Sequence, residues 1–371
     1  FSGEYRPTLV SIDAHPAALP HWGVASADIS YEMPVQADGS TRSAMLFMGT
    51  IPSFAGPVRS ARVPMGSLRE IWDSAWVFYG WQNWANGNNI VVDVDDWALS
   101  VHSDARQKGR WVFPFVEGSE RNYSDLFHRE NDGEHVAPHN VQINMNAVAS
   151  LFTSESTKHP FKFTETGLDR GVDVSAITIN YKTTNPAYVS SYEYNEMTGL
   201  YERYRNGAPY YDALTGAQTE YANVIVLRTD VSWFNNAPQR PVIQLVGQGV
   251  AEIFQNGKYI RGTWVRTHDG KTGDDVKSLT SRMIFLDENG EELEMKVGKT
   301  FIQIVNNDQP VLVSSSAAIA GASAQATPEP TATPKPTRTP KPTRTPKASA
   351  NATPVPVEGG AEAEQDNTFG G

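Results

Sequence analysis

The run Gly56-Pro57-Val58-Arg59-Ser60-Ala61-Arg62 sets two guanidinium groups three residues apart after a turn, with Thr41-Arg42 upstream and Ala137-Pro138-His139-Asn140 further on. Planar guanidinium forks bind phosphate or carboxylate bidentately, so Arg42, Arg59 and Arg62, with Ser60 between the last two, form a candidate anion site. The spacing predicts that Arg59 and Arg62 open a helix, where free N–H groups and the helix dipole favour an anion. Pro64 is tolerated in a first turn because its missing N–H would have lacked a partner anyway. The same arginines could instead pair with Asp13, Glu32 or Glu70 as a structural ion network. The residues leave both readings open.

His139 is the candidate general acid or base, with Glu32 or Asp13 as its carboxylate partner and Asn140 as the group that orients the imidazole. Asp13-Ala14-His15-Pro16 ends a strand, where α/β proteins place functional side chains, so His15 joins the ligand-binding candidates. Glu32 shares a strand face with Ser30 and Pro34. A carboxylate there needs a partner, for which Arg42 or Arg59 is expected. No metal or cofactor is expected. Asp93, Asp95 and Asp96 lack the Gly and distal Glu of a calcium loop. His135 and His139 are separated by Pro138, which argues against a zinc helix. No nucleophile elbow, phosphate loop or dinucleotide fingerprint is present. Trp81-Gln82-Asn83-Trp84 and the amides up to Asn89 would suit stacking on a sugar, or interior packing.

The elements that must position these groups read as α+β. A first segment, 5–155, is mixed α/β. It has strands at Thr8–Asp13, Asp28–Val35 and Arg42–Met48, the last two joined by a turn at Ala37-Asp38-Gly39-Ser40. Apolar residues at Met65, Leu68, Ile71, Trp72 and Ala75 predict a helix over 63–76, and a second short helix is expected over 144–152. A second segment, 156–313, reads as mostly β, with strands at 177–181, 188–194, 201–204, 224–228, 242–246, 250–254 and 301–305. Asn256-Gly257 and Asn289-Gly290 signal hairpins. From 314 to 371 the chain turns to Ala, Ser, Thr and Pro, and Thr333-Pro-Lys-Pro-Thr-Arg repeats at once from Thr339. Such a tract is expected to be a disordered, extended tether.

The chain of 371 residues carries 31 Lys and Arg against 42 Asp and Glu, a formal charge of −11. That balance argues against nucleic acid as a partner, because its phosphates require basic neutralisation. With no cysteine, disulfides, thiolate catalysis and Cys-based metal sites are excluded. No apolar run reaches the roughly 20 residues of a membrane span. The first residue is Phe1, equally compatible with a preceding signal peptide or lipid anchor and with an arbitrary start.

Arg6-Pro7, Ile12-Asp13-Ala14-His15-Pro16, Ala27-Asp28-Ile29-Ser30-Tyr31-Glu32, Thr41-Arg42, the 56–62 run and Ala137-Pro138-His139-Asn140 together resemble the YerB-like bacterial lipoprotein family, a domain of unknown function. Leu245-Val246-Gly247-Gln248-Gly249, Gly262-Thr263-Trp264 and 298–305 look like its C-terminal part. The likeness covers about 5–308. One departure is Ala14, where the family tends to have Asn. The resemblance implies a secreted or lipid-anchored extracytoplasmic protein and supplies no activity. The leading expectation is an envelope protein that holds an anionic ligand such as a cell-wall glycan or phosphate-bearing polymer. The alternatives are a hydrolase or transferase on such a polymer, and a structural scaffold.

Overall fold

The computed structural model describes residues 5–81, 114–119, 123–152, 154–156, 161–182, 186–234, 237–266 and 282–314. The Asp93–Asp96 motif, most of the Trp81–Asn89 loop and the Thr/Pro tail lie outside them. The first segment holds β1 (Thr8–Asp13), β2 (Ile29–Pro34), β3 (Thr41–Phe47), β4 (Phe54–Ala55), α1 (Val63–Trp72), β5 (Ala75–Phe78), β6 (Phe115–Glu117), β7 (Phe127–Arg129), β8 (Val141–Asn144) and α2 (Met145–Leu151). The second holds β9 (Lys162–Thr164), β10 (Val172–Asp173), β11 (Ala176–Asn180), β12 (Val189–Asn195), β13 (Leu200–Arg205), β14 (Ala208–Pro209), β15 (Glu220–Tyr221), β16 (Asn223–Thr229), β17 (Val231–Phe234) and β18 (Ala237–Ile243). It continues with β19 (Gly247–Gln255), β20 (Lys258–Arg266), β21 (Ile284–Leu286), β22 (Glu294–Lys296), β23 (Thr300–Asn306) and β24 (Val311–Ser314). The first segment is mixed and the second largely β.

An eleven-stranded mixed sheet runs β10-β20-β19-β16-β23-β2-β3-β1-β5-β6, with β21 added to β20. Its centre is the parallel pair β2–β23, which sets Glu32 beside Gln303 and joins the two segments. The strands at this centre read as continuous apolar runs because both faces are covered: every residue of β2 and β3 is buried. One core cluster takes Leu9, Tyr31 and Trp72 from the first segment together with Ile225, Trp264 and Ile302 from the second. All described residues fall within one compact unit, Phe1–Thr327. A six-stranded sheet, β14-β13-β12-β11-β24 with β15 on β13, packs its own aromatic cluster around Tyr192 and Phe301.

The helix expected over 63–76 stops at Trp72. Asp73 takes a left-handed conformation (φ 46°), its N–H closes on Arg69 and Glu70, and the chain turns directly into β5. The apolar residue at 75 that fitted the helical spacing belongs to that strand. The strand expected at 242–246 lies earlier, as β18. Of the turn signals, Asn256 and Gly257 both have positive φ (52° and 67°), as a type I′ hairpin between β19 and β20 requires.

Candidate functional site

Asp13 is the last residue of β1 and faces Arg42 of β3 across an antiparallel pair. On the other side of β1, the segment 56–61 is stitched in by its backbone. Asp13 N–H donates to Pro57 O (2.8 Å), Arg59 N–H to Ser11 O (2.9 Å), and Tyr79 N–H to Arg59 O (3.2 Å). Asp13 therefore sits between two guanidinium groups. Arg59 Nε lies 3.1 Å from Asp13 Oδ2, and the same oxygen is 2.7 Å from His139 Nδ1. His15 N–H donates to Asp13 Oδ1 (3.0 Å). Burial alone would raise the Asp13 pKa, but the His139 hydrogen bond and the Arg42 and Arg59 charges outweigh it and hold the carboxyl well below the usual range.

The two imidazoles stack with ring centroids 4.2 Å apart. His15 caps a short 3₁₀ turn at Pro16–Ala18, and its Nδ1 accepts from Ala17 N–H (3.1 Å). That contact fixes the tautomer: the proton resides on Nε2, which is a donor with no partner among the described residues. His139 is the complement. Its Nδ1 carries the proton toward Asp13, and its Nε2 is likewise without a hydrogen bond among the described residues.

These groups line a cleft of about 350 Å³, together with Gln36, Asp38, Lys182 and Tyr188. The cleft has three fixed cations (Arg42, Arg59, Lys182) and two carboxylates, each already in an ion pair: Asp13 with Arg59, and Asp38 with Lys182 at 2.7 Å. Arg42 is the cation without a direct ion pair, and Asp13 acts on it only through space. It is only 8% exposed, donates one hydrogen bond, from Nη1 to Ser60 O (2.8 Å), and has no carboxylate within 4 Å among the described residues. Its Nε is buried without a partner. Burial pushes its pKa down to about 10.

The structure brings together Asp13, His15, Arg42, Arg59, the Ser60 carbonyl and His139, and places the remaining candidates elsewhere. Arg62 is the residue before α1, with Nη1 on the Ala61 carbonyl, and does not line the cleft. Asn140 does not orient the imidazole; its side chain accepts from Arg129 Nη1 and donates to Glu130 O, and Asp13 orients His139 instead. Glu32 does not pair with Arg42 or Arg59. It is fully buried behind the cleft, with Arg203 Nη2 at 3.1 Å and Arg205 Nη1 also on it. Thr41 Oγ1 (2.6 Å), Ser190 Oγ (2.8 Å) and Gln303 Nε2 (3.3 Å) complete its shell. His135 is bonded to Asp132 and Pro20 O and lies against Trp22, so it does not face His139 as a second ligand. No group of three potential metal ligands exists among the described residues.

A family model described as protein of unknown function (DUF3048), N-terminal domain, matches residues 2–158, and its C-terminal counterpart matches 177–302. The chain belongs to the DUF3048 family. A relative in Bacillus subtilis (strain 168), named "Putative lipoprotein YerB", is 24% identical over 322 residues, covering 85% of this chain and 86% of the relative. The crystal structure of YerB protein from Bacillus subtilis matches the fold with a TM-score of 0.64 over 84% of this chain and 94% of that one. No helix among the described residues is long and apolar enough to cross a membrane.

In this DUF3048 chain, sequence reasoning missed Gln36 and Asp38 in the turn after β2 and every contributor from the second segment. Lys182 and Tyr188 line the cleft, and Arg203 and Arg205 hold Glu32. A signal for the arginines existed: Tyr201, Arg203 and Arg205 fall at every second position of β13 and form its buried face. Lys182 carries no such mark, because it follows β11 in a connection whose neighbour in space, Asp38, is 144 positions away.

Proposed function

We propose that this is an extracytoplasmic envelope protein that holds an anionic ligand, such as a phosphate-bearing or cell-wall polymer, in the Asp13–Arg42–Arg59 cleft. The observation that carries the reading is Arg42, a buried cation at the cleft with no carboxylate partner. Asp13 offsets that charge only through space, whereas an incoming anion would give it the direct, hydrogen-bonded anionic partner it lacks. Arg59 presents two Nη groups, and His15 presents Nε2–H, from neighbouring walls. Asp13 lies between the two arginines and offsets their mutual repulsion. The lipoprotein name of the relative supports the placement outside the cytoplasm.

The test is calorimetric titration of the purified chain with inorganic phosphate, sulfate and acetate, repeated on Arg42→Met. A charge-assisted hydrogen bond is worth about 1.5–3 kcal/mol, so the variant should bind phosphate roughly 10- to 150-fold more weakly. Its unliganded stability should stay within about 1 kcal/mol of the parent, because no ion pair is broken. Binding of none of these anions, or a variant that loses stability while binding phosphate as tightly as the parent, would favour a scaffold.

The Asp13–His139 pair favours a second reading, hydrolysis or transfer on the same ligand. A carboxylate on Nδ1 prepares Nε2 as a general base. Bis(p-nitrophenyl) phosphate is the probe: His139→Gln should abolish p-nitrophenol release while leaving phosphate affinity unchanged. No release by the unaltered protein would end the enzymatic reading.

A further inference from the structure

Next to the cationic cleft lies a second hollow of about 420 Å³, and the two share one wall, the Asp38–Lys182 ion pair. The wall is rigid. Gly39, in the turn between β2 and β3, has φ 86°, and a Cβ there would come within 2.2 Å of Tyr181 O, so the turn is seated directly on the 181–182 backbone. The lining of the second hollow differs in kind from that of the first. It has no arginine or histidine. The half-buried Trp233 of β17 lies against it with Pro34 and Val231, and its Nε1 has no hydrogen-bond partner among the described residues. Gln309 also lines it. Its Nε2 is committed to Asn180 O (2.9 Å), leaving Oε1 as an unused acceptor.

The geometry points to a subsite for a sugar ring beside the anion site, so that the ligand class is a glycosyl phosphate. This rests on the anion reading above and adds to it. The phosphoryl group takes Arg42, Arg59 and His15 Nε2–H. Lys182, on the shared wall, reaches either side. The apolar face of the ring lies on the indole of Trp233, while hydroxyl groups accept from Trp233 Nε1–H and donate to Gln309 Oε1. One aromatic face with an unsatisfied donor and an unsatisfied acceptor fits an amphipathic, hydroxyl-bearing ring. A nucleobase would call for a second exposed stacking surface; the other aromatic residue of the hollow, Tyr181, is buried with its hydroxyl committed to Gln303 and Ile304 O. A bare anion uses none of these second-hollow features. An anionic chain of repeating glycosyl phosphates and a free sugar phosphate share this chemistry.

The experiment compares inorganic phosphate, α-glucosyl phosphate, its methyl diester and adenosine monophosphate by calorimetry on the full chain, on Trp233→Ala and on Trp233→Phe. An aromatic face contributes up to about 1.5 kcal/mol, so α-glucosyl phosphate should bind about tenfold more tightly than phosphate. Trp233→Ala should erase that advantage and leave phosphate affinity unchanged, and Trp233→Phe should retain most of it. Binding of the methyl diester at least as tightly as the monoester assigns the subsite to a polymer, and the reverse assigns it to a free sugar phosphate. Equal binding of phosphate and α-glucosyl phosphate, tighter binding of adenosine monophosphate, or a Trp233→Ala variant that weakens both phosphates alike overturns the subsite and leaves the anion site standing. Failure of phosphate itself to bind overturns both.

Discussion

Glu32→Ala is expected to cost on the order of 3–5 kcal/mol, a large share of the roughly 5–15 kcal/mol by which a domain is stable. The reason is what the substitution leaves behind. Arg203 and Arg205 are almost wholly buried, and Glu32 is the carboxylate that both of them touch. Arg203 also lies over the rings of Tyr210 (4.1 Å) and Phe301 (4.4 Å), which cannot replace a carboxylate. Urea unfolding monitored by tryptophan fluorescence should show the midpoint shifted with an unchanged slope. A loss below about 1 kcal/mol, the ordinary cost of a substitution, would show that the network does not hold the fold. Replacing Glu32, Arg203 and Arg205 together by apolar residues of similar size should recover much of the loss, as buried ion sets generally allow. The pH dependence has a definite sign. Burial alone would raise the Glu32 pKa, and the Arg205 and Arg203 charges with the Thr41 and Ser190 hydrogen bonds outweigh it, holding the group at about 2 against an ordinary value of 4.5. The folded value is depressed, so the contribution, about 3 kcal/mol, is fully present above pH 4.5 and lost as pH falls toward 2. The stability gap between the protein and Glu32→Gln should therefore close over that window, and a gap independent of pH would count against the assignment.

Neither segment should fold when made alone. A chain ending at 156 would expose the edge of β2 in the middle of the sheet, together with the apolar surfaces of Tyr31 and Trp72 that Ile302, Trp264 and their neighbours cover. It would also leave Glu32 and Glu70 buried without Arg203, Arg205 and Arg266, the last of which lies 3.2 Å from Glu70. The partner piece, 161–314, would lose the same contacts from the other side. Circular dichroism and hydrogen exchange should find each piece without cooperative unfolding, and mixing or co-expression should restore it. A cooperative transition in the isolated 5–156 piece would show that the shared sheet is a docking surface between finished domains.

What the sequence disclosed followed the range of the interactions. Local patterns were readable: the Asn256-Gly257 turn, the apolar faces of α1, and α2 with Asn144 accepting from Ala147 N–H as its cap. The end of α1 was not, because Ala75 continues the helical spacing by coincidence and Asp73 enters a conformation that favours Gly or Asn. Within the candidate site, Asp13, His15, Arg42, Arg59 and His139 were recognisable as residue types. Their grouping was not, since the Asp13–His139 bond joins positions 126 apart. Glu32 was read from its own strand as needing an arginine, and that requirement is met. Its donors come from the other segment, which the sequence does not show, because parallel pairing with β23, which brings the second segment to β2, leaves no mark in either strand.

The Glu32–Gln303 contact joins positions 271 apart, so the strand that completes the central sheet is nearly the last of the described chain to be made. Until it arrives, β2 has no neighbour on that side, and Arg205, which also donates to the Ala14 carbonyl between Asp13 and His15 (2.9 Å), has a floor to brace only in part. Topologies dominated by such distant pairings fold slowly. A ribosome releasing this protein from its first residue to its last therefore delivers no completed central sheet along the way. An interrupted molecule has no partly finished centre, so a completed β2–β23 pair is itself a report that synthesis reached beyond β23.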